Sequence, residues 1–280
     1  DRNFLNSSSF EVDRSCVYKW RSTNTTAWSL DIIFCKFILI FTHKHNYSRI
    51  CSMFHLITQK FYVKFIYPFI AAYLKKDRPY NYKGFKLTVF EGIFHPAFFF
   101  STKYFYAFIN KLPLENKTCL EVGCGTGLLS LLMLRKNGIV TSIDIQERAI
   151  ANTRVNFEKN RHLFRSELNL ICSDLFDHVP KKSYDYVFVN PPYYFTTPET
   201  ETQQAWFCGK NGEYFIKFFG QLEDYIHSET SIYMILAENC EIDRIKSLAA
   251  ENKFQFKLVN EKKIAWEKNY IFKIKRITAY

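Results

Sequence analysis

From residue 118 onward, apolar and polar positions fall into short blocks whose period alternates. Thr118–Val122, Ile139–Asp144, Leu168–Cys172 and Tyr184–Val189 are compact, largely apolar runs, the pattern of strands covered on both faces. Leu128–Arg135 and Glu147–Lys159 lie between them and carry apolar residues at helical spacing. Glu213–Tyr225 and Ile242–Glu251 predict two more helices, separated by a strand at Ser231–Leu236. Phe254–Val259 and Tyr270–Ile277 predict two closing strands joined by a charged connection, and the polar stretch Thr196–Lys210 predicts a loop. Strands alternating with helices imply an α/β fold, a doubly wound Rossmann-like sheet, with the closing pair as an antiparallel edge.

The front of the chain reads differently. Phe54, Ile57, Phe61, Phe65, Phe69 and Tyr73 recur at helical spacing among His55, Gln59, Lys60 and Lys64, which predicts an amphipathic helix kinked or divided at Pro68. Residues 1 to 52 contain no Gly, Pro or Met, and Met53 is the first methionine. The expected organisation is therefore an extension or fragment artefact over 1–52, an amphipathic helical segment over 53–80 and an α/β domain over 81–280. The apolar run Ile32–Phe41 is about half a membrane span and contains Lys36, so no membrane span is expected. No small-residue cleavage site follows it, so it does not read as a signal peptide either.

Charge and cysteine usage add partners and compartment. Residues 1–117 hold 17 Lys/Arg and 7 Asp/Glu, a balance of +10, against 21 and 20 over residues 118–280, a balance of +1. A basic front half can meet RNA, a ribosomal particle or an anionic lipid surface. None of the eight cysteines forms a CxxC pair or a zinc-finger spacing, which argues against a metal site and for a reducing, cytoplasmic compartment.

Two motifs carry chemistry. Glu121-Val122-Gly123-Cys124-Gly125-Thr126-Gly127 stands where the first buried strand turns into a helix, the place where doubly wound sheets bind ligands. Its glycines allow a tight turn and a close ligand approach, and their spacing lacks the wider final gap of the dinucleotide fingerprint. Asp144 ends the second strand, where a carboxylate can accept bonds from both ribose hydroxyls. Asp174 follows the third strand, where a carboxylate can take a bond from an adenine amine while Leu175 packs on the ring. Asn190-Pro191-Pro192-Tyr193 begins 63 residues after Gly127. Paired prolines fix φ and leave the Pro191 carbonyl to accept a bond, and the Asn190 side-chain carbonyl offers a second acceptor for the same NH2 group. Tyr193 can stack on a flat amide or base.

This layout resembles the S-adenosylmethionine site of class I methyltransferases. The resemblance implies S-adenosylmethionine as cofactor, held by Glu121, Gly123, Cys124, Gly125, Thr126, Gly127, Asp144, Asp174, Leu175 and Asn190, with Glu121 steering the methionine ammonium. It implies Asn190, Pro191, Pro192 and Tyr193 as the catalytic set. The NPPY tetrapeptide occurs in enzymes that methylate adenine N6, guanine N2 or a glutamine side-chain amide. Gln204–Glu213 and Ser173–Phe176 resemble the corresponding segments of the HemK/PrmC-type release-factor glutamine methyltransferases, and the resemblance spans roughly residues 85 to 280. Gly92–Pro96, followed by Ser101-Thr102, occupies the place of that family's proline-containing cofactor lid without its usual acidic residue. The implied function is methylation of a glutamine amide in a translation release factor. Two alternatives stand beside it: methylation of an exocyclic amine in tRNA or rRNA, with the basic front half on the phosphates, and a cofactor-binding interaction protein without turnover. In the enzyme readings the loop Tyr194–Lys210 shapes substrate choice.

Overall fold

The computed structural model describes residues 73–98, 100–264 and 267–277. The expected extension over 1–52, with its Ile32–Phe41 run, and all but the last residue of the expected helix over 54–73 lie outside these residues. No helix among the described residues is long and apolar enough to cross a membrane.

The described chain opens with a hairpin, β1 (Arg78–Tyr82) and β2 (Phe85–Val89), followed by helix α1 (Phe100–Ile109). The expected helical segment over 53–80 is corrected at its end, since Arg78–Tyr80 belong to a strand paired with β2, and no element was expected over 81–109. The hairpin closes through a two-residue Lys83-Gly84 turn with both residues at positive φ, the geometry that matches the natural twist of paired strands. There follow β3 (Thr118–Val122), α2 (Leu128–Arg135), β4 (Ile139–Asp144), α3 (Glu147–Lys159), β5 (Leu168–Cys172), β6 (Tyr184–Val189), α4 (Glu213–Leu222), β7 (Ile226–Ala237), α5 (Ile242–Glu251), β8 (Phe254–Ile264) and β9 (Glu267–Arg276).

Seven strands form one sheet in the order β5-β4-β3-β6-β7-β9-β8, parallel through β7 and antiparallel at β9 and β8. The doubly wound α/β expectation and its antiparallel edge are both met. Alternation along each strand feeds two cores. Leu120, Val122, Val187 and Val189 pack with Phe218 and Leu222 of α4 on one face. Cys119, Val140 and Phe188 pack with Leu131 of α2 and Phe105 of α1 on the other. Every residue of α2 from Leu128 to Leu134 is buried, because α1 and the hairpin cover the side that a surface helix would turn to water.

The closing strands differ from expectation. The charged connection is itself paired: β8 and β9 run together out to Ile264 and Glu267. β8 is the outer strand of the sheet, and most of its side chains are at least partly exposed, so its sequence lacks the period-two alternation that marks a half-buried strand.

Gly127 fixes the start of α2. It sits at φ +76°, and a Cβ there would lie 2.6 Å from Thr153 Cγ2. Gly127→Ala is expected to destabilise the fold by about 2 to 4 kcal/mol through left-handed strain and overpacking. Adding Thr153→Ser, which removes the closest methyl and keeps the hydroxyl, recovers part of that loss. Thermal or urea unfolding of the two variants checks both effects.

Candidate functional site

The two motifs meet because of one strand register. β3 and β6 are parallel neighbours with Val122 opposite Val189, so the next residues, Gly123 and Asn190, leave the sheet side by side. A Cβ on Gly123 would lie 3.9 Å from the Asn190 carbonyl oxygen. The chain places β4 and β5 on one side of β3 and β6 on the other, so the crevice between the carboxyl ends of β3 and β6 is the topological switch point. A cavity of about 330 Å³ opens there, within the range of small-molecule sites.

Nearly all the residues expected at the cofactor site line this cavity: Glu121, Gly123, Cys124, Gly125, Thr126, Asp144, Asp174, Leu175 and Asn190. Gly127 does not line it. It starts α2 at φ +76° and contacts Thr153 as described above. The turn is held by β4: the Gly123 and Cys124 N–H groups both donate to the Ile143 carbonyl, at 2.9 and 3.0 Å.

Glu121 is 2% exposed. It lies under the first turn of α2, where the Ser130 hydroxyl bonds its carboxylate and is itself 2.9 Å from the Ser142 hydroxyl. Burial pushes the carboxyl up to about 8; the Ser130 bond opposes this and the nearby Asp144 charge adds to it. Asp144 is half-buried, and each of its oxygens accepts one backbone N–H, from Gly125 and from Gln146, both at 3.0 Å. Burial raises its pKa against the pull of those N–H groups. Each oxygen keeps further lone pairs for a ligand.

Asp174 stands exposed at the rim. Lys217 of α4 donates to Asp174 and to Asp177, both at 2.6 Å, and the pairs raise the Lys217 pKa against its partial burial. Leu175, buried at φ +54°, presents its side chain beside this acid. Lys217 also lines the cavity, and sequence reasoning missed it because its pairing joins residues 43 positions apart.

The clamp residues Asn190, Pro191, Pro192 and Tyr193 also line the cavity. Tyr193, however, does not offer an exposed stacking face. It is 3% exposed in the core with Val189 and Cys208, and its hydroxyl donates to Asn190 Oδ1 at 2.6 Å. The expectation that it stacks on the target is therefore corrected: it orients the Asn190 amide.

The expected polar loop is also different in kind. Glu201–Ala205 forms a 3-10 turn, and the chain returns so that Tyr193 and Tyr194 N–H groups both bond the Trp206 carbonyl. Gln203, Trp206 and Cys208 are buried. Phe94, on the segment expected as a lid, packs against Trp206 with ring centroids 5.1 Å apart, and both line the cavity. This aromatic wall was not legible in a segment whose outer residues are polar.

The family model described as methyltransferase small domain matches residues 100–255. The chain is 26% identical, over 60% of its length and 45% of the relative's, to a ribosomal RNA small subunit methyltransferase C of Buchnera aphidicola. It is 28% identical, over 51% of its length and 72% of the relative's, to a protein of Methanocaldococcus jannaschii provisionally named a protein N5-glutamine methyltransferase. It thus spans less than half of the first relative. The fold matches that of the Thermus thermophilus 16S rRNA N2 G1207 methyltransferase, solved with AdoMet and guanosine, at a TM-score of 0.50 and 16% identity over 71% of this chain and 50% of that one. With the family model covering more than half of the chain, this protein belongs to the methyltransferase small domain family.

Proposed function

We propose that this chain is an S-adenosylmethionine-dependent N-methyltransferase that methylates a glutamine side-chain amide in a peptide-chain release factor, as in HemK/PrmC-type enzymes. S-adenosylmethionine is the cofactor, and the donor set suits it. Asp144 keeps lone pairs for a diol, Leu175 offers an apolar surface next to Asp174, and buried Glu121 complements an ammonium. When bound, the cofactor supplies an electrophilic methyl group on a sulfonium.

The protein's part is positioning and fixed dipoles. Asn190 Oδ1 and the Pro191 carbonyl are the acceptors for the two hydrogens of the target NH2. The Tyr193 hydroxyl, 2.6 Å from Asn190 Oδ1, keeps that amide from rotating. An amide nitrogen is a weak nucleophile because its lone pair is delocalised. Drawing its hydrogens toward fixed acceptors favours the electron-rich form that attacks. The nitrogen becomes acidic once alkylated, so no strong general base is required beside it.

The observation that carries the amide reading is the charge of the cavity. Four carboxyl groups line it, Glu121, Asp144, Asp174 and Glu213, and Lys217 is the one cation among the described lining residues and is already paired with Asp174; Glu121, kept protonated by burial below about pH 8, adds no negative charge there near neutral pH. A neutral glutamine enters such a crevice more readily than a nucleotide flanked by phosphates. The RNA reading rests on the +10 balance of residues 1–117 and on the name of the Buchnera relative. It requires the target base to be extruded from its stack while phosphates stay outside the crevice.

Incubation with labelled S-adenosylmethionine and cell extract separates the readings. Label is expected in a protease-sensitive, RNase-resistant species that migrates with a release factor; label lost to RNase instead would establish the RNA reading. Asn190→Ala should lower the rate by at least about 100-fold, in line with the loss of one preorganised polar contact, while S-adenosylhomocysteine affinity stays within roughly tenfold. Full activity in that variant removes the clamp from the mechanism.

Glu121 gives the ligand-free protein a distinctive pH dependence. Its folded pKa of about 8 lies above the ordinary 4.5, so the folded state holds a proton that the unfolded chain has released, and stability falls as pH rises from 4.5 to 8. Burial drives His95 down to about 4 from 6.5. That effect runs the other way and is complete above 6.5, which leaves Glu121 dominant between pH 6.5 and 8. Stability is expected to drop by roughly 1.5 kcal/mol across that window. The drop should be absent in Glu121→Gln, as measured by urea unfolding at both pH values.

A further inference from the structure

Helix α3 is buried on a polar face. Asn152, Asn156 and Asn160 recur every fourth residue and are 0%, 0% and 1% exposed, although asparagine is a poor helix former that competes with the backbone. All three carboxamides are spent on β2. The Asn160, Asn156 and Asn152 Oδ1 atoms accept the Lys86, Thr88 and Phe90 N–H groups at 3.0, 2.7 and 3.1 Å. In return Asn160 Nδ2 donates to the Lys86 carbonyl, and Asn156 and Asn152 Nδ2 both donate to the Thr88 carbonyl, at 2.7 to 2.9 Å. The periods match: four helical residues rise about 6 Å and two strand residues about 6.6 Å. The helix therefore acts as the missing neighbour on the edge of β2 that β1 leaves open.

Only the middle rung reaches the cofactor turn. Asn156 Nδ2 also donates to the Thr126 carbonyl at 2.9 Å, and the adjacent Thr153 hydroxyl bonds the Gly125 carbonyl at 3.1 Å. At its other end, β2 leads past Phe90, whose carbonyl accepts the Ile93 N–H at 3.1 Å, into the cavity-lining residues Gly92, Ile93 and Phe94. One side chain thus joins the turn that touches the cofactor to the strand that carries the opposite wall.

We propose that Asn156 is a positioning residue that couples docking of the β1–β2 hairpin and its Gly92–Phe94 wall to occupancy of the cofactor turn. The inference rests on the cofactor reading above. Ligand binding that orders residues 125–126 strengthens the Asn156 rung and with it the hold on Thr88, and a docked hairpin in turn presets the turn for its ligand. Asn160 makes the same strand contacts at the far end without touching the turn, so it is the internal control.

The test uses the full chain with S-adenosylhomocysteine as probe, read by calorimetry and by amide hydrogen exchange. In the unsubstituted protein, the ligand is expected to slow exchange of the Thr88 and Phe90 amides at least tenfold. Asn156→Ala should weaken binding at least tenfold and abolish that slowing, whereas Asn160→Ala should expose the Lys86 amide and change affinity less than threefold. Binding without any change at Thr88 and Phe90 overturns the coupling, and so does an equal loss of affinity in both variants. If Asn156→Ala fails to fold, the exchange measurement on the unsubstituted protein decides alone. Failure of that protein to bind S-adenosylhomocysteine at all overturns the cofactor reading instead.

Discussion

The parallel pairing of β3 with β6 is the constraint on which the site depends. It sets Val122 opposite Val189, and the glycine turn and the Asn190 tetrapeptide follow within five residues of those two ends. Because side chains alternate along a strand, a slip of one residue would move Glu121 out of its place beneath α2 and carry Leu120 or Val122 from one core to the other. The register is held from the opposite end by Asp185, whose carboxylate accepts both the Thr118 N–H and the Thr118 hydroxyl, at 2.8 and 2.9 Å. The same Thr118 hydroxyl accepts the Asp185 N–H at 2.9 Å, which locks the two strands at their starts so that they finish level at the crevice.

The crevice accepts an electrostatic cost that the rest of the fold avoids. Glu121 is buried with two serine hydroxyls and, among the described residues, no cation bonded to it, and Asp144, whose charge reaches it, also has a raised pKa. Burial keeps Glu121 protonated below about pH 8 in the ligand-free protein and makes loss of that proton costly, and this is the arrangement expected where a positively charged ligand completes the site. Asp174 shows the contrast. Exposed at the rim, it already has its counter-charge in Lys217, so it serves as an oriented acceptor and not as a waiting charge.

Legibility followed the physics of each segment. The strands Thr118–Val122 and Ile139–Asp144 and the helix Leu128–Arg135 are found at the expected residues, since near-complete burial leaves largely apolar runs there; Leu168–Cys172, at the sheet edge, and Glu147–Lys159, with apolar residues at helical spacing, are found as expected although each is partly exposed. The glycine turn and the Asn190 tetrapeptide were legible because backbone geometry and paired prolines constrain sequence directly. The hairpin was legible but missed: Phe85, Leu87 and Val89 alternate with Lys86 and Thr88 beside a Lys83-Gly84 turn. What the sequence does not display is that its outer edge pairs with the Asn152, Asn156 and Asn160 side chains, a contact between distant residues. Tyr193 misled for a related reason: an aromatic beside a binding motif reads as a stacking face, and only its burial and its bond to Asn190 reveal a supporting role.

The division between reaction and substrate in this chain has a structural origin. The residues proposed to act on the methyl donor and on the target nitrogen stand on strand ends, where the sheet holds Gly123, Asp144 and Asn190 in fixed relation. The wall proposed to meet the remainder of a substrate comes from two connections, Gly92–Pro96 and the segment through Trp206, joined by the Phe94–Trp206 contact. Connections tolerate change that strands do not. Relatives named for RNA and for protein glutamine both align with this chain. In this protein the wall is aromatic, and the described lining carries four carboxyl groups.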